Sequence, residues 1–510
     1  MTKMNLIVTA VLTLTVTTLS GQYRTDAVPA TGVKSDTSAV VITLDDALKI
    51  ALSENVAVKV ADKEIERNQY AKKGTYSSLF PQVAGSGSYQ RTIKKQIMYM
   101  DSDSGDDEEG GGGFGMLSSL APYFIRINEL SAIQGMPLII PGESESSSSN
   151  SGFAVGRWNT YNYGVNAQMP LINAQLWESL RISGQAVDLA VEKARSSRLD
   201  MVTQVKQAFY AVLLAKEAFN VYKDVYENAV ENFVQTERRY NAEKASELEY
   251  TRAKSVVAGA IPNVYNAESS VMLALWQLKA VMGVDLDRNI DVAGSLGDYS
   301  TQMFRDIHDN DDPSLDYNTT LRQLELQADQ LASSVRMYKA AYLPTLSAAF
   351  AYNMIAMTND FKFSEYKWSP YSYVGLSLNI PIFTGFKRHY DVKQAKVQAV
   401  ELDLQRIETE RQLRIAIRQF LNTMETSMNS YHAATEAVGL ARKAYDIAAK
   451  SYKVGKGTIT DMNDAQLTLT QASLQQSQAV YNFIVAKSSL EQILGGDFID
   501  EDGNVDLDNM

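Results

Sequence analysis

The residues whose type and spacing come nearest to a chemical site are two aspartates, Asp461 and Asp464. Carboxylates held close together repel one another, raise each other's pKa and attract cations. The competing interpretation is that both are ordinary residues of a first helical turn, where the helix dipole favours negative charge. Taken alone, the residues favour this second interpretation.

No other set of residues predicts catalysis or a cofactor. The histidines have no spacing typical of metal ligands; they are His308, His389 and His432. The segment Gly455-Lys456-Gly457-Thr458 lacks the upstream glycine of a phosphate-binding loop. The glycine-rich run 110–115 lacks the lysine that such loops need. The sequence therefore predicts no enzyme, no cofactor and no metal site.

The composition narrows the class of protein. The chain has 510 residues, a net charge of −12 and no cysteine. Disulfides and a lipid-modified cysteine are therefore excluded, and without a basic stripe nucleic acid is not an expected partner. Residues 1–21 are typical of an export signal, because Lys3 precedes the apolar run Leu6–Leu19 and small residues follow it. No later run of about 18 apolar residues predicts a membrane-spanning helix.

The sequence contains an internal repeat. Residues 240–283 align with residues 452–495 without a gap, each pair differing by 212 positions. Upstream, Phe80-Pro81 recurs as Leu343-Pro344. A repeat of this length predicts two copies of one structural unit. The predicted organisation is a first repeat at 43–283, a linker at 284–313, a second repeat at 314–495 and an acidic tail at 496–510.

Each copy contains a very long helical stretch. Proline is almost absent from these stretches, and apolar residues recur three and four positions apart, as in Val202, Val205, Phe209 and Val212. This spacing is typical of coiled-coil-like packing. A helix over residues 173–240 would be about 100 Å long, which exceeds what a compact globule needs.

Each copy also contains two segments with period-two alternation. In the first copy, Tyr161, Tyr163 and Val165 alternate with polar residues. Strands of about ten residues with aromatic ends are typical of outer-membrane barrels, although alternation alone permits a half-buried soluble sheet. The export signal and the helix lengths favour the barrel. The predicted strands are about 82–91, 159–169, 345–354 and 371–380.

An insertion of about residues 92–156 separates the first two strands. It contains the acidic run Asp101–Glu109 and runs of glycine and serine, a composition that predicts a solvated loop rather than a core. Asp101, Asp103 and Gly105 resemble the start of a calcium loop, but the flanking helices and the final glutamate are missing. Because outer-membrane barrels place their longer loops outside, we expect the insertion to be extracellular.

Two stretches carry a family resemblance. In Thr43-Leu44-Asp45-Asp46-Ala47-Leu48, Thr43 and Asp46 predict a helix-capping box, and the stretch resembles the first helix of the TolC family of outer-membrane efflux channels. Val454–Ala465 resembles the family's periplasmic tip, where a long helix turns back. The resemblance spans about Leu44 to Gly495. It implies an all-α-dominated fold with a membrane β-barrel part, built from two tandem repeats of long coiled-coil-like helices and two strands each.

The resemblance also implies a homotrimer in contact with outer-membrane lipid, with its helices in the periplasm. Such a channel takes substrate from an inner-membrane RND or ABC transporter through a periplasmic adaptor, in efflux or in type I secretion. The residues alone leave one alternative open, a secreted or periplasmic structural or adhesive coiled coil.

Site residues follow from the same resemblance. Asp461 and Asp464 match an acidic ring at the channel entrance. Tyr452 matches a tyrosine of the network that closes it, and Glu249 stands in that network where the family pattern has an aspartate. Gly457 stands where the family pattern has a latching arginine. The adaptor is expected to dock on the two helix reversals, at Lys244, Ala245, Ser246, Val454, Gly455, Lys456, Gly457 and Thr458.

Overall fold

The computed structural model describes residues 40–98, 153–300 and 314–495. Its helices are α1 (Leu44–Glu54), α2 (Val56–Ser77), α3 (Ala174–Asn241), α4 (Glu247–Met282), α5 (Thr319–Ala340), α6 (Lys387–Lys453) and α7 (Ile459–Leu494). Its strands are β1 (Val40–Ile42), β2 (Gln82–Arg91), β3 (Gln96–Met98), β4 (Phe153–Val155), β5 (Asn159–Ile172), β6 (Ile290–Val292), β7 (Thr345–Thr358) and β8 (Ser369–Asn379). The predicted export signal, most of the insertion and the acidic tail lie outside the described residues. No described helix is both long enough and apolar enough to cross a membrane.

The two halves of the chain fold as copies of one unit. Each half contains, in order, a 22-residue helix, two long strands, a helix of 68 or 67 residues and a helix of 36 residues. The long helix predicted at 173–240 is α3, which lies within one residue of those bounds. The predicted fold class, dominated by long helices with two strands in each repeat, is confirmed.

The repeat extends to the hydrogen bonds that end the longest helices. After α3, the Lys244 amide donates to the Arg239 carbonyl at 2.8 Å, and after α6 the Lys456 amide donates to the Ser451 carbonyl at 2.9 Å. These bonds close the same left-handed C-terminal motif. The residue with positive φ is Glu243 in the first copy and Gly455 in the second, again 212 positions apart.

The following helices begin and end alike in both copies. Capping boxes start α4 at Ser246 and Glu249, and α7 at Thr458 and Asp461. Gly283 and Gly495 then end these helices in the left-handed conformation. The capping box predicted for α1 is also present, because Thr43 and Asp46 bond each other's backbone.

Two asparagines hold the ends of α4 and α7. The side-chain amide of Asn55 donates to the Val281 carbonyl, and the side-chain amide of Asn318 donates to the Ile493 carbonyl, both at 2.6 Å. Each side-chain oxygen also accepts an amide at the start of the next helix, from Ala57 at 2.6 Å or from Leu321 at 2.9 Å. One side chain in each copy thus satisfies the end of one helix and the start of another.

The chain divides into two compact units. The helical unit comprises Met1–Lys72, Arg181–Ser334 and Lys393–Met510, and the sheet unit comprises Lys73–Leu180 and Val335–Val392. The main core of the helical unit gathers side chains from α1, α3, α4 and α7; its most deeply buried members include Leu48, Phe209, Leu278 and Phe483. Burying each of these contributes about 2 kcal/mol. A short parallel pair, β1 with β6, packs on the same core.

The sheet unit contains one four-stranded antiparallel sheet in the order β2-β5-β7-β8. The pairing register puts alternate residues on one face, which is largely apolar; its members include Val83, Tyr163, Val165, Phe350, Val374 and Leu376. The opposite face of these strands consists of amide, hydroxyl, small and a few larger uncharged side chains, and it carries no charged residue.

Two strands are longer than the alternation pattern indicated. β5 continues to Ile172 through Pro170, with a register shift between those residues. A proline has no amide to donate, so a strand tolerates it at such an irregularity, and Pro170 does not end the strand. β7 continues to Thr358 because Ile355, Ala356 and Met357 still pair with β5.

Candidate functional site

The expected docking residues lie in two helix reversals, which we call the tip turns, at residues 242–246 and 454–458. The first joins α3 to α4 and the second joins α6 to α7. Lys244 and Lys456 are exposed at matching positions, whereas Ala245 and Gly457 are half-buried. The shared end and start motifs fix both turns in the same backbone path, so each presents one lysine to solvent.

Gly457 has a steric reason to be glycine. A Cβ atom at this position would lie 3.0 Å from the Ser451 Cβ and 3.2 Å from the Tyr452 amide nitrogen. The Gly457 amide also donates to the Ser451 carbonyl at 3.1 Å. A larger side chain, including the arginine of the family pattern, would have to push the end of α6 away.

Tyr452 is buried and joins α6 to α3. Its hydroxyl lies 2.7 Å from the Thr236 hydroxyl, which itself donates to the Asn232 carbonyl at 2.8 Å. Because a hydroxyl has one proton, Tyr452 is the donor in this pair. Arg239 adds a bond to the Tyr452 carbonyl at 3.3 Å, and its guanidinium carbon lies 5.4 Å from the centre of the tyrosine ring. Tyr452 thus belongs to a small core with Ala253, Ile459 and Met462.

Asp461 and Glu249 are equivalent residues of the capping boxes that start α7 and α4. Asp461 accepts bonds from the Thr458 hydroxyl at 2.7 Å and the Thr458 amide at 3.2 Å, and Glu249 accepts from the Ser246 amide at 2.9 Å. The side-chain bond to Thr458, followed by the backbone bond, lowers the pKa of Asp461. Within one chain this direction is opposite to the raised value expected of a crowded acidic ring. Within one chain the Tyr452 hydroxyl bonds Thr236, and the part of Tyr452 and Glu249 in a closing network stays a prediction.

Asp464 is exposed and has a basic counterpart in the first copy. The residue 212 positions before Asp464 is Arg252, whose Nη1 donates to the Thr460 hydroxyl at 3.5 Å. Beside Glu249, Asp461 and Asp464, the starts of α4 and α7 therefore carry an arginine that the sequence reasoning overlooked. Overlaying the two repeats position by position would have found Arg252, whereas nothing local in the sequence indicates Thr236 or Arg239.

The described residues contain no group of three or more histidine, aspartate and glutamate side chains that could hold a metal ion. The calcium-like segment at Asp101 and the histidine at 308 lie outside those residues. The features that the described site offers are the charged side chains and the side-chain packing at the tip turns.

Comparison with known proteins identifies the family that has this architecture. Residues 142–284 and 313–496 match the model of a family described as outer membrane efflux protein. The chain belongs to this family. It is 20% identical over 341 residues to outer membrane protein TolC of Vibrio cholerae serotype O1, covering 65% of this chain and 76% of that protein. It is 21% identical over 327 residues to TolC of Escherichia coli K12, covering 62% and 66%.

Solved structures of outer membrane channels share the fold. The CmeC outer membrane channel of Campylobacter jejuni superposes with a TM-score of 0.63 at 17% identity, covering 91% of this chain and 86% of CmeC. The MtrE outer membrane channel of Neisseria gonorrhoeae superposes with a TM-score of 0.62 at 16% identity, covering 89% of each chain.

Membership of the outer membrane efflux protein family confirms three expectations from the sequence. The protein is an outer-membrane channel of the type used in tripartite efflux, it resides in a Gram-negative-type envelope, and its helical part lies in the periplasm. The alternative of a secreted structural coiled coil is therefore wrong. Family members are channels rather than enzymes, which is consistent with the absence of a predicted catalytic site.

Proposed function

We propose that three copies of the chain form one conduit, that a periplasmic adaptor docks on the tip turns, and that the tip carboxylates line the entrance. The observation that carries this proposal is the duplicated tip, with the same helix end, exposed lysine and capping box in both repeats. In a trimer, two near-identical turns per chain would give an adaptor ring a near-repeating set of contacts.

The free edges of the sheet support assembly. Among the described residues, β2 and β8 lie at the two edges of the four-stranded sheet, and each has one row of backbone groups without a strand partner. In lipid such groups must be paired, which favours closure into a barrel by strands of neighbouring copies. Four strands from each of three chains would then form the predicted barrel.

Exposed apolar seams on the long helices support the same assembly. On α6, Val397, Val400 and Leu404 recur at spacings of three and four, and each is more than half exposed in the single chain. α4 has a second seam that includes Ile261, Tyr265 and Trp276. Seams of this spacing are typical of helices that pack against another helix, here that of a second copy.

The assembly can be tested by cross-linking, because the chain has no cysteine of its own. Ser86→Cys in β2 and Ser377→Cys in β8 place one thiol on each edge strand, on the same polar face. A flexible bis-maleimide should produce a ladder that stops at three chains. The Ser86→Cys variant alone should give no ladder, and a ladder ending at two or four chains would refute the trimer.

Adaptor docking requires a separate test that leaves the turns folded. Lys244→Glu with Lys456→Glu reverses two exposed charges without altering Gly457, where a Cβ atom would lie within 3.0 Å of the end of α6. We expect export to be lost while the assembled channel remains in the membrane. The matched control, Lys49→Glu on α1 with Lys193→Glu on α3, reverses two exposed charges away from the tip turns and should export normally. Unchanged export in the first variant would place docking elsewhere.

The inner-membrane partner, an RND or an ABC transporter, would be identified by the adaptor that cross-links to the tip.

A further inference from the structure

The apolar face of the four-stranded sheet changes character along its length. Near the strand ends that adjoin the helices, the face is aliphatic, with Val83, Leu346 and Leu378. Near the opposite ends it is aromatic, where Tyr89 stacks on Tyr161 at 4.8 Å and Trp368 packs on Tyr163 at 4.8 Å. The last residue of β2 on this face is a cation, Arg91.

Two cations at this end are held by aromatic rings. The guanidinium carbon of Arg91 lies 5.6 Å from the centre of the Phe361 ring, and Lys95 Nζ lies 4.7 Å from the centre of the Trp158 ring. We call Arg91 and Lys95 the rim cations. Neither forms an ion pair with a carboxylate of the described residues. A ring face orients such a cation without neutralising it, and the edge of a guanidinium remains free to donate two parallel bonds to a phosphate.

The segment that carries Phe361 is fixed in place. Asn159 is almost completely buried, accepts a bond from the Tyr89 hydroxyl at 3.0 Å and donates to the Asp360 carbonyl at 3.1 Å. Tyr366 packs on Tyr161 with ring centres 5.2 Å apart. The rim cations are therefore attached to a structured edge rather than to free loop ends.

We propose that the rim cations bind the phosphate groups of a phosphorylated glycolipid in the outer leaflet of the membrane. The face presents aliphatic, aromatic and cationic bands in the order in which a lipid leaflet presents acyl chains, interface and phosphates. The aliphatic strand ends are the ones that lead in sequence to the helices, so with the helices in the periplasm the proposal assigns the aromatic ends to the side of the outer leaflet. The inference rests on the proposed function only in requiring that this face contact lipid in the assembled channel.

The test uses the full-length channel purified in detergent. It is titrated with a bis-phosphorylated acylated disaccharide (lipid A), with the same lipid after its phosphates are removed, and with inorganic phosphate. Binding is followed by native mass spectrometry, which also reports the number of chains. We expect the phosphorylated lipid to bind at least about 10-fold more tightly than the dephosphorylated one, and inorganic phosphate to compete weakly because it lacks the acyl chains.

Variants then assign the binding to the rim. Arg91→Gln with Lys95→Gln should weaken binding of the phosphorylated lipid about 25-fold, since each interfacial cation contributes about five-fold. Lys49→Gln with Lys193→Gln removes the same charge from α1 and α3 and should leave binding unchanged. Equal weakening in both variants would indicate general electrostatic attraction and overturn the proposal.

Two other outcomes would also overturn it. Inorganic phosphate that binds as tightly as the lipid would make this a free-anion site. Lipid binding that appears only after the six acids of residues 101–109 are changed to amides would mean that the chain's own acidic run occupies the rim cations. A preparation that binds lipid poorly but still contains three chains counts against this inference, whereas loss of the three-chain species counts against the proposed assembly.

Discussion

Glu243 holds a conformation that suits glycine. Its φ is 57°, while its counterpart in the second repeat is Gly455 at 77°. Left-handed backbone costs a non-glycine residue about 1 kcal/mol, so Glu243→Gly should stabilise the end of α3 by that amount. Amide exchange at residues 240–244 should slow about five-fold. Gly455→Ala is the matched control, because its Cβ would find the nearest atom 3.8 Å away, and it should speed exchange by a similar factor. Unchanged rates in both variants would contradict this account.

The Tyr452 hydroxyl should matter more than that of its repeat counterpart. Tyr452→Phe removes the donor to Thr236, which is completely buried, and such a bond contributes about 1 kcal/mol. Exchange at the end of α6 should therefore accelerate about five-fold. Tyr240→Phe is the control, because Tyr240 is partly exposed and interacts through its ring, which stacks on Tyr250. Equal effects at both positions would mean that the buried hydroxyl pair contributes nothing.

At the scale of whole elements, we call the bonds of Asn55 and Asn318 to two helix ends the asparagine clamps. Removing one of these side chains should loosen only the two helix ends that it joins. Asn318→Ala leaves the Ile493 carbonyl and the Leu321 amide without their partner, at a cost of about 2 kcal/mol. Exchange should accelerate at the start of α5 and the end of α7, but not at the start of α2. Asn55→Ala should produce the mirrored pattern at α2 and α4. Acceleration spread evenly over the whole protein would refute the clamp.

The helices and strands were largely predictable because their signals are local. The capping box at Thr43 and Asp46 and the long helix α3 follow from residue type and period. The end of β5 was not predictable, because Pro170 is accommodated by a register shift that depends on β7. The Asn55 and Asn318 clamps were missed for a related reason, since each joins segments 226 or 175 positions apart in sequence. At the tip, the capping role of Asp461 follows from its spacing to Thr458, whereas the bond between Thr236 and Tyr452 exists only after α3 and α6 pack.

For the whole molecule, we expect the tip rather than the sheet to determine whether the channel prefers cations or anions. The polar face of the described strands has no charged residue, so a pore lined by that face would discriminate little between ions. The first two turns of α4 and α7 carry Glu247, Glu249, Asp461 and Asp464 against Arg252, whereas Lys244 and Lys456 lie on the tip turns. Where these helix starts line the opening, three chains would multiply their excess of negative charge, and that field favours cations.

Opposite changes at the tip should therefore shift ion selectivity in opposite directions. In planar bilayers, Asp461→Asn with Asp464→Asn should reduce the preference for cations and abolish block by trivalent cations, whereas Arg252→Gln should increase both. The pH dependence follows from Asp461, whose pKa is lowered by its bonds to Thr458. An acid with a lowered pKa stays ionised above its unfolded value near 4, so both its charge and its contribution to helix stability persist at neutral pH and decline only as the pH falls below about 4. Selectivity that already declined between pH 7 and pH 5 would instead mean that crowding of carboxylates from three chains outweighs the capping bonds. Unchanged selectivity in the double Asn variant would leave Asp461 as a helix cap with no role in conduction.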